Sequence, residues 1–161
     1  MPKRIRIKSD SKIHFVTFTV SKHIPVFNNT ICADELLSIF EFYKTKNRIR
    51  VYGYVIMPTH VHILLDVLTN ESISAVIRDI KKYYSYRFKN ALIDNTNLDV
   101  DKFMIADSFR FWQEGFDEVT IISETVFYTK LKYLHDNPVK AGMVENAIDY
   151  PYSSAKYWLS N

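Results

Sequence analysis

Residues 13–20 alternate along His14, Phe15, Val16, Thr17, Phe18 and Thr19, rich in β-branched and aromatic side chains, the pattern of a half-buried strand. Residues 51–56 and 60–67 repeat the pattern. The short Met57-Pro58-Thr59 connection between them predicts an antiparallel hairpin. A fourth strand is expected over residues 109–121. Between the strands the period changes. Leu36, Ile39, Phe40 and Tyr43 recur at three- and four-residue spacing, giving a helix that Asn28 or Asn29 can cap and that runs to about Lys46. Ile73, Ile77, Ile80, Tyr84 and Phe88 give a second helix to about Lys89, with Asn70 as its cap. Phe127, Leu131 and Leu134 give a third, opened by Ser123 and expected to stop at Asn137 because Pro138 follows. Residues 90–108 are polar, Asp-rich and without clear period, and read as a loop or a poorly ordered excursion.

The order strand, helix, strand, strand, helix, strand predicts an α+β, ferredoxin-like βαββαβ antiparallel sheet with helices on one face and a further C-terminal helix. A length of 161 residues fits a single domain, 1–161, and no repeat or linker interrupts it. The hydrophobic share, 47%, excludes a disordered chain, yet no apolar run is long enough for a bilayer. The basic N-terminus has no apolar segment behind it and does not read as a signal peptide. Cys32 is the only cysteine, which excludes an internal disulfide framework and fits a reducing, cytoplasmic setting. It reads as a small core residue.

Net charge is only +3, so placement matters more than sum. Arg4 and Arg6 alternate with Ile5 and Ile7 in a stretch that is either a frayed terminus or a basic arm against phosphates. Arg78, Lys82 and Lys89 share one face of the second helix, with Lys81 beside them. Such a charge run is ordinarily a solvated face.

The sharpest local signal is His60-Val61-His62 at the head of the third strand. A side-chain period of two turns both imidazoles to one face, where two nitrogen donors can meet one metal ion. Alone the pattern is weak, since imidazoles also fill half-polar sheet faces. His14 has no such neighbour and reads as structural.

Met57-Pro58-Thr59-His60-Val61-His62-Ile63-Leu64-Leu65 resembles the HUH motif (His, hydrophobic, His) of the single-tyrosine transposases. Phe111-Trp112-Gln113-Glu114-Gly115-Phe116, the run from Tyr133 through Asn137-Pro138-Val139-Lys140-Ala141-Gly142, and Tyr150-Pro151-Tyr152-Ser153-Ser154-Ala155 follow in the family's order. Together they are most similar to the REP-associated branch. Thr59 stands where many relatives have Asn, and residues 90–108 lie outside the resemblance.

What the resemblance implies is a metal-dependent transposase that nicks single-stranded or hairpin DNA and transfers strands through a 5′-phosphotyrosine. Tyr133 would be the nucleophile. His60, His62 and Asn137 would be ligands of Mg²⁺ or Mn²⁺. Arg4, Arg6, Arg78, Lys81, Lys82, Lys89 and Gln113 would contact DNA. Trp112 would stack on a base or fill the core, and Gln113 and Glu114 could reach the site from the fourth strand. No membrane is implied, and either a monomer or a homodimer fits. On spacing alone Tyr133 is also an ordinary helix-edge tyrosine, Tyr83, Tyr84 and Tyr86 are rival nucleophiles, and Asn137 is a sufficient helix cap. His135 lies on another side of the helix from Tyr133 and reads as a surface or packing residue. Two other functions stay open: a silent hairpin-binding protein of the same fold, and a small metallohydrolase that activates water.

Overall fold

The computed structural model describes residues 4–8, 10 and 12–160. β1 spans Ile13–Thr19, α1 Thr30–Thr45, β2 Ile49–Ile56 and β3 His60–Val67. The β2–β3 connection is closed by the Met57 N–H donating to the His60 carbonyl at 2.8 Å. α2 follows as Ile73–Arg87, a two-stranded hairpin as β4 (Met104–Ile105) and β5 (Ser108–Phe109), then β6 (Asp117–Thr120) and α3 (Glu124–Lys140). A short α4 covers Ala155–Leu159. The main sheet has the order β2-β3-β1-β6, antiparallel throughout, which is the ferredoxin-like order expected from the element sequence.

Period-two alternation divides the sheet into two chemically different faces. Val16, Phe18, Val61, Ile63 and Leu65 point to α1 and α2, where Leu36, Ile39, Phe40, Ile77, Ile80 and Tyr84 complete a dry core. Ile13, Phe15, Val55 and Leu64 point the other way, toward Phe127, Leu131 and Leu134 of α3. The tyrosine-bearing helix therefore packs on the face opposite to α1 and α2. Gly53 permits its close approach: a β-carbon there would lie 2.6 Å from Leu131 Cδ1. The outer edge of β2 is covered by the C-terminal segment, through Ile56 N–H to the Tyr152 carbonyl at 2.8 Å and Ser154 N–H to the Tyr54 carbonyl at 3.0 Å.

Four local expectations are corrected. Asn29 caps α1 as expected, accepting from Ile31 and Cys32, but α2 is capped by Ser72, whose Oγ accepts from Ala75 at 3.1 Å, and not by Asn70. α3 continues through Pro138 to Lys140. Proline removes one N–H in the last turn, and the helix ends where Gly142, at φ 72, lets the Met143 and Gly142 N–H groups reach the Pro138 and Val139 carbonyls. The fourth strand is not continuous. Residues 111–113 pair with the end of β1, a turn at Gly115 (φ 72) breaks the ladder, and β6 resumes against residues 14–17. Finally, residues 90–108 are built, not loose. Leu92, Ile93 and Phe103 are buried, and Phe103 joins Phe88, Phe109 and Phe111 in an aromatic cluster. Their apolar residues are spaced by the shape of the cluster, so neither period reveals them.

Candidate active site

β1 and β3 pair in a register that sets Thr17 opposite His62 and Thr19 opposite His60, all four on the α3 face. His62 is buried at 5% exposure. Phe15 stacks on its ring at 5.5 Å and 16°. Its Nδ1 is 2.7 Å from Thr17 Oγ1, and the His60 Nδ1 is 3.0 Å from Thr59 Oγ1. The two imidazole centroids are 4.9 Å apart. Each hydroxyl engages Nδ1, which leaves Nε2 as the nitrogen turned to the site. Burial, reinforced by the neighbouring His60 and Lys130 charges, pushes His62 down to about 3. Burial, with the charge of His23, also lowers His60. Both rings are thus held neutral at physiological pH, with lone pairs available.

α3 brings Tyr133 and Asn137 to the His62 ring, one turn apart on one helix face. The Tyr133 ring meets His62 edge-on at 5.4 Å and Phe15 at 5.9 Å, while the residue keeps 43% of its surface exposed. Asn137 Nδ2 lies 3.2 Å from His62 Nε2. Asn137 is inside the helix and Ala141 is its cap, so capping does not explain the asparagine. All four residues come from one chain.

The other candidates are scattered. Arg4 donates to Glu124 at 2.7 and 3.0 Å, and Ile5 and Ile7 pack against the α3 side, so this stretch lies on the protein; Pro2 and Lys3 lie outside the described residues. Arg6, Arg78 and Lys82 are exposed. Lys89 is exposed and sits over the Phe109 ring at 5.3 Å. Lys81 and Trp112 have a different place from the one expected. The break at Gly115 strips the Gln113 and Gly115 carbonyls of sheet partners, and the half-buried Lys81 ammonium donates to both, at 2.9 and 2.5 Å. Trp112 fills the core against Phe18 and Phe27 and donates to the Lys81 carbonyl at 3.0 Å. Gln113 reaches His23, 3.4 Å away, and Glu114 is exposed near Lys81.

Tyr84 is buried with its hydroxyl donating to the Cys32 carbonyl, while Tyr83 and Tyr86 are exposed on α2, in the helix layer across the sheet from His62. His135 is buried and 2.8 Å from Ser154 Oγ, a packing residue and not a surface one. His14 pairs with Glu118 at 2.5 Å. Phe15, Thr17 and Thr59 escape the sequence reading as parts of the site; only the strand register could have found Thr17. His23 escapes it too. It follows Lys22 in the left-handed region, at φ 54 and 55, a strained pair that turns the chain beside His60.

The donor set suits a divalent ion. Among the described residues no three His, Cys, Asp or Glu side chains group at metal-binding distance, and the side chain that meets His62 Nε2 is the neutral amide of Asn137. Among the described residues no helix is long and apolar enough to cross a membrane.

Among solved structures, the fold is similar to a REP-associated tyrosine transposase bound to a REP hairpin, with TM-score 0.70, 20% identity, 98% of this chain and 83% of that one covered. It is also similar to a putative transposase from Deinococcus radiodurans R1, with TM-score 0.55, 18% identity, and 84% and 97% covered. No curated protein matches the sequence. The IS200-like transposase family matches residues 7–137, which run from ahead of β1 to the asparagine against His62, and with that span the chain belongs to the IS200-like transposases.

Proposed function

We propose that this transposase nicks and rejoins single-stranded or hairpin DNA through a covalent 5′-phosphotyrosine on Tyr133. The observation that supports this reading is the meeting, within one chain, of a half-exposed tyrosine with His62 and Asn137. His60 and His62 would hold a divalent ion, Mg²⁺ or Mn²⁺, through Nε2, and imidazole favours Mn²⁺ of the two. Asn137 would join them through its amide oxygen, which requires the carboxamide to turn over from the orientation that a hydrogen bond to His62 selects. When bound, the ion supplies Lewis-acid polarisation of the phosphate and stabilisation of its developing charge.

The chain's own residues do the rest. A phenol is mostly protonated and weakly nucleophilic at neutral pH, so position counts. Packing of Tyr133 between Phe15 and His62 limits the ring's freedom while leaving its surface open to a strand. The Tyr133 Oη–phosphorus bond forms as the phosphorus–O3′ bond breaks. The phenolic proton passes to solvent, and the departing oxygen takes one up to become a 3′-hydroxyl. A second 3′-hydroxyl can attack the phosphotyrosine in reverse, so strands exchange without a nucleotide cofactor. Because both halves of the site lie in one chain, a monomer suffices for the nick.

Covalent trapping tests the proposal. Wild type, Tyr133→Phe and His60→Ala are incubated with Mn²⁺ and a pool of 3′-labelled single-stranded hairpin DNAs, then run on denaturing gels. A labelled adduct is expected in wild type alone. Cleavage that persists in Tyr133→Phe would establish a water-activating hydrolase instead. Binding without cleavage by wild type would leave a hairpin-binding protein.

A further inference from the structure

α3 carries three lysines around the tyrosine, and they are not alike. Lys132 is ion-paired with Asp136. Lys130 and Lys140 have no carboxylate partner among the described residues, and both turn to the same phenol ring. Lys130 Nζ is 5.8 Å from the Tyr133 ring centroid and 5.1 Å from that of Phe15; Lys140 Nζ is 5.7 Å from the Tyr133 centroid. Residues 130, 133, 137 and 140 fall on one helical stripe, so the two ammonium groups bracket Tyr133 along the helix with Asn137 between them.

Stability does not account for this arrangement. A cation over an exposed ring contributes little, and two like charges drawn to one ring repel each other. Lys140 lies in the last turn, where a cation suits the helix dipole; Lys130 lies mid-helix and has no such reason. An anion at the tyrosine edge would complete the cluster.

We propose that Lys130 and Lys140 form a phosphate clamp beside Tyr133, holding the DNA phosphodiester before attack and the phosphotyrosyl group after it. The clamp rests on the reading of Tyr133 as the nucleophile for its second stage, and on geometry alone for its first. The two ammonium groups act as charge partners for the phosphate oxygens and take no proton from the phenol.

The test separates the two. Equilibrium binding of fluorescein-labelled oligo-dT of twenty nucleotides is followed against salt in a Tyr133→Phe background, where no adduct can form. Each phosphate contact on a single strand contributes about 0.7 to the slope of log affinity against log salt. Lys130→Met and Lys140→Met are each expected to lower the slope by about that amount, and the Arg variants to retain it. With Tyr133 restored, the Met variants should form adduct at least about tenfold more slowly at saturating DNA, with partial recovery in the Arg variants, and all should unfold close to the wild-type temperature. Slopes unchanged in both Met variants would overturn the clamp. Lowered slopes with no adduct from wild type would uphold the clamp as a binding site and reject Tyr133 as the nucleophile.

Discussion

The two faces of the sheet are made by alternate residues of the same strands, yet they are built to opposite standards. Toward α1 and α2, Val61, Ile63 and Leu65 are fully buried among Phe18, Ile77, Ile80 and Tyr84, and the buried Tyr84 hydroxyl is satisfied by the Cys32 carbonyl. Toward α3, His60 and His62 replace aliphatic side chains, burial holds them neutral, and Tyr133 stays half in solvent. The first face carries stability. The second gives up apolar burial to keep lone pairs and a phenol available, which is where local rules are expected to bend.

The comparison breaks most visibly if damage to the first face reaches the chemistry of the second. Phe18→Ala removes a buried ring that packs against Trp112 at 4.9 Å. It should cost about 3–5 kcal/mol in chemical denaturation. Per folded molecule, the rate of adduct formation should stay within about twofold of wild type, since no residue bordering Tyr133 is touched. A much larger fall would show that the two faces are coupled through the sheet.

The division was partly legible in the sequence, and the limits follow from which interactions are local. The alternation around His60 and His62 put both rings on one face, and the spacing of Tyr133 and Asn137 put those on one helix side, because both depend on local periods alone. That the two pairs meet required the register of β1 against β3 and the docking of α3 at Gly53, neither of which a local period encodes. Thr17 belongs to the site only through that register. The same reasoning explains Lys81, whose charge looked solvated until the break at Gly115 left two carbonyls for it to satisfy.

Within the second face, the hydroxyls that hold Nδ1 sharpen the contrast next. Thr17→Val keeps shape and removes the group 2.7 Å from His62; Thr59→Val does the same 3.0 Å from His60. Loss of such an orienting partner typically lowers metal affinity or activity by about 10–100-fold. The Mn²⁺ concentration for half-maximal adduct formation should rise in both variants and return in Thr17→Ser, with stability nearly unchanged. An equal Mn²⁺ requirement in wild type and Thr17→Val would remove the hydroxyl from the site's design.

Gly53→Ala probes the seam between β2 and α3. The new methyl would stand 2.6 Å from Leu131 Cδ1, the mobile end of a side chain, so overpacking falls at the low end of its range and reduced unfolded-state freedom offsets part of it. A net loss of about 1 kcal/mol is expected. Since Leu131 lies two residues from Tyr133, the adduct rate should fall by more than that stability loss implies. Phe18→Ala should show the reverse.

The smallest effect is expected at Lys132, and it tests whether charge on α3 matters by position or only by sum. Its ion pair with Asp136 links residues four apart on the helix, and its side chain is 76% exposed. Such pairs contribute about 0.3–0.5 kcal/mol, so Lys132→Ala should leave the unfolding midpoint nearly in place. It removes the same formal charge as Lys130→Met, but a charge already neutralised by a carboxylate. The salt slope for oligo-dT should therefore move by less than half of what Lys130→Met produces. Equal shifts from the two variants would mean that the strand senses the helix as a diffuse positive surface, and the second face of the sheet would then be specialised around the imidazoles alone.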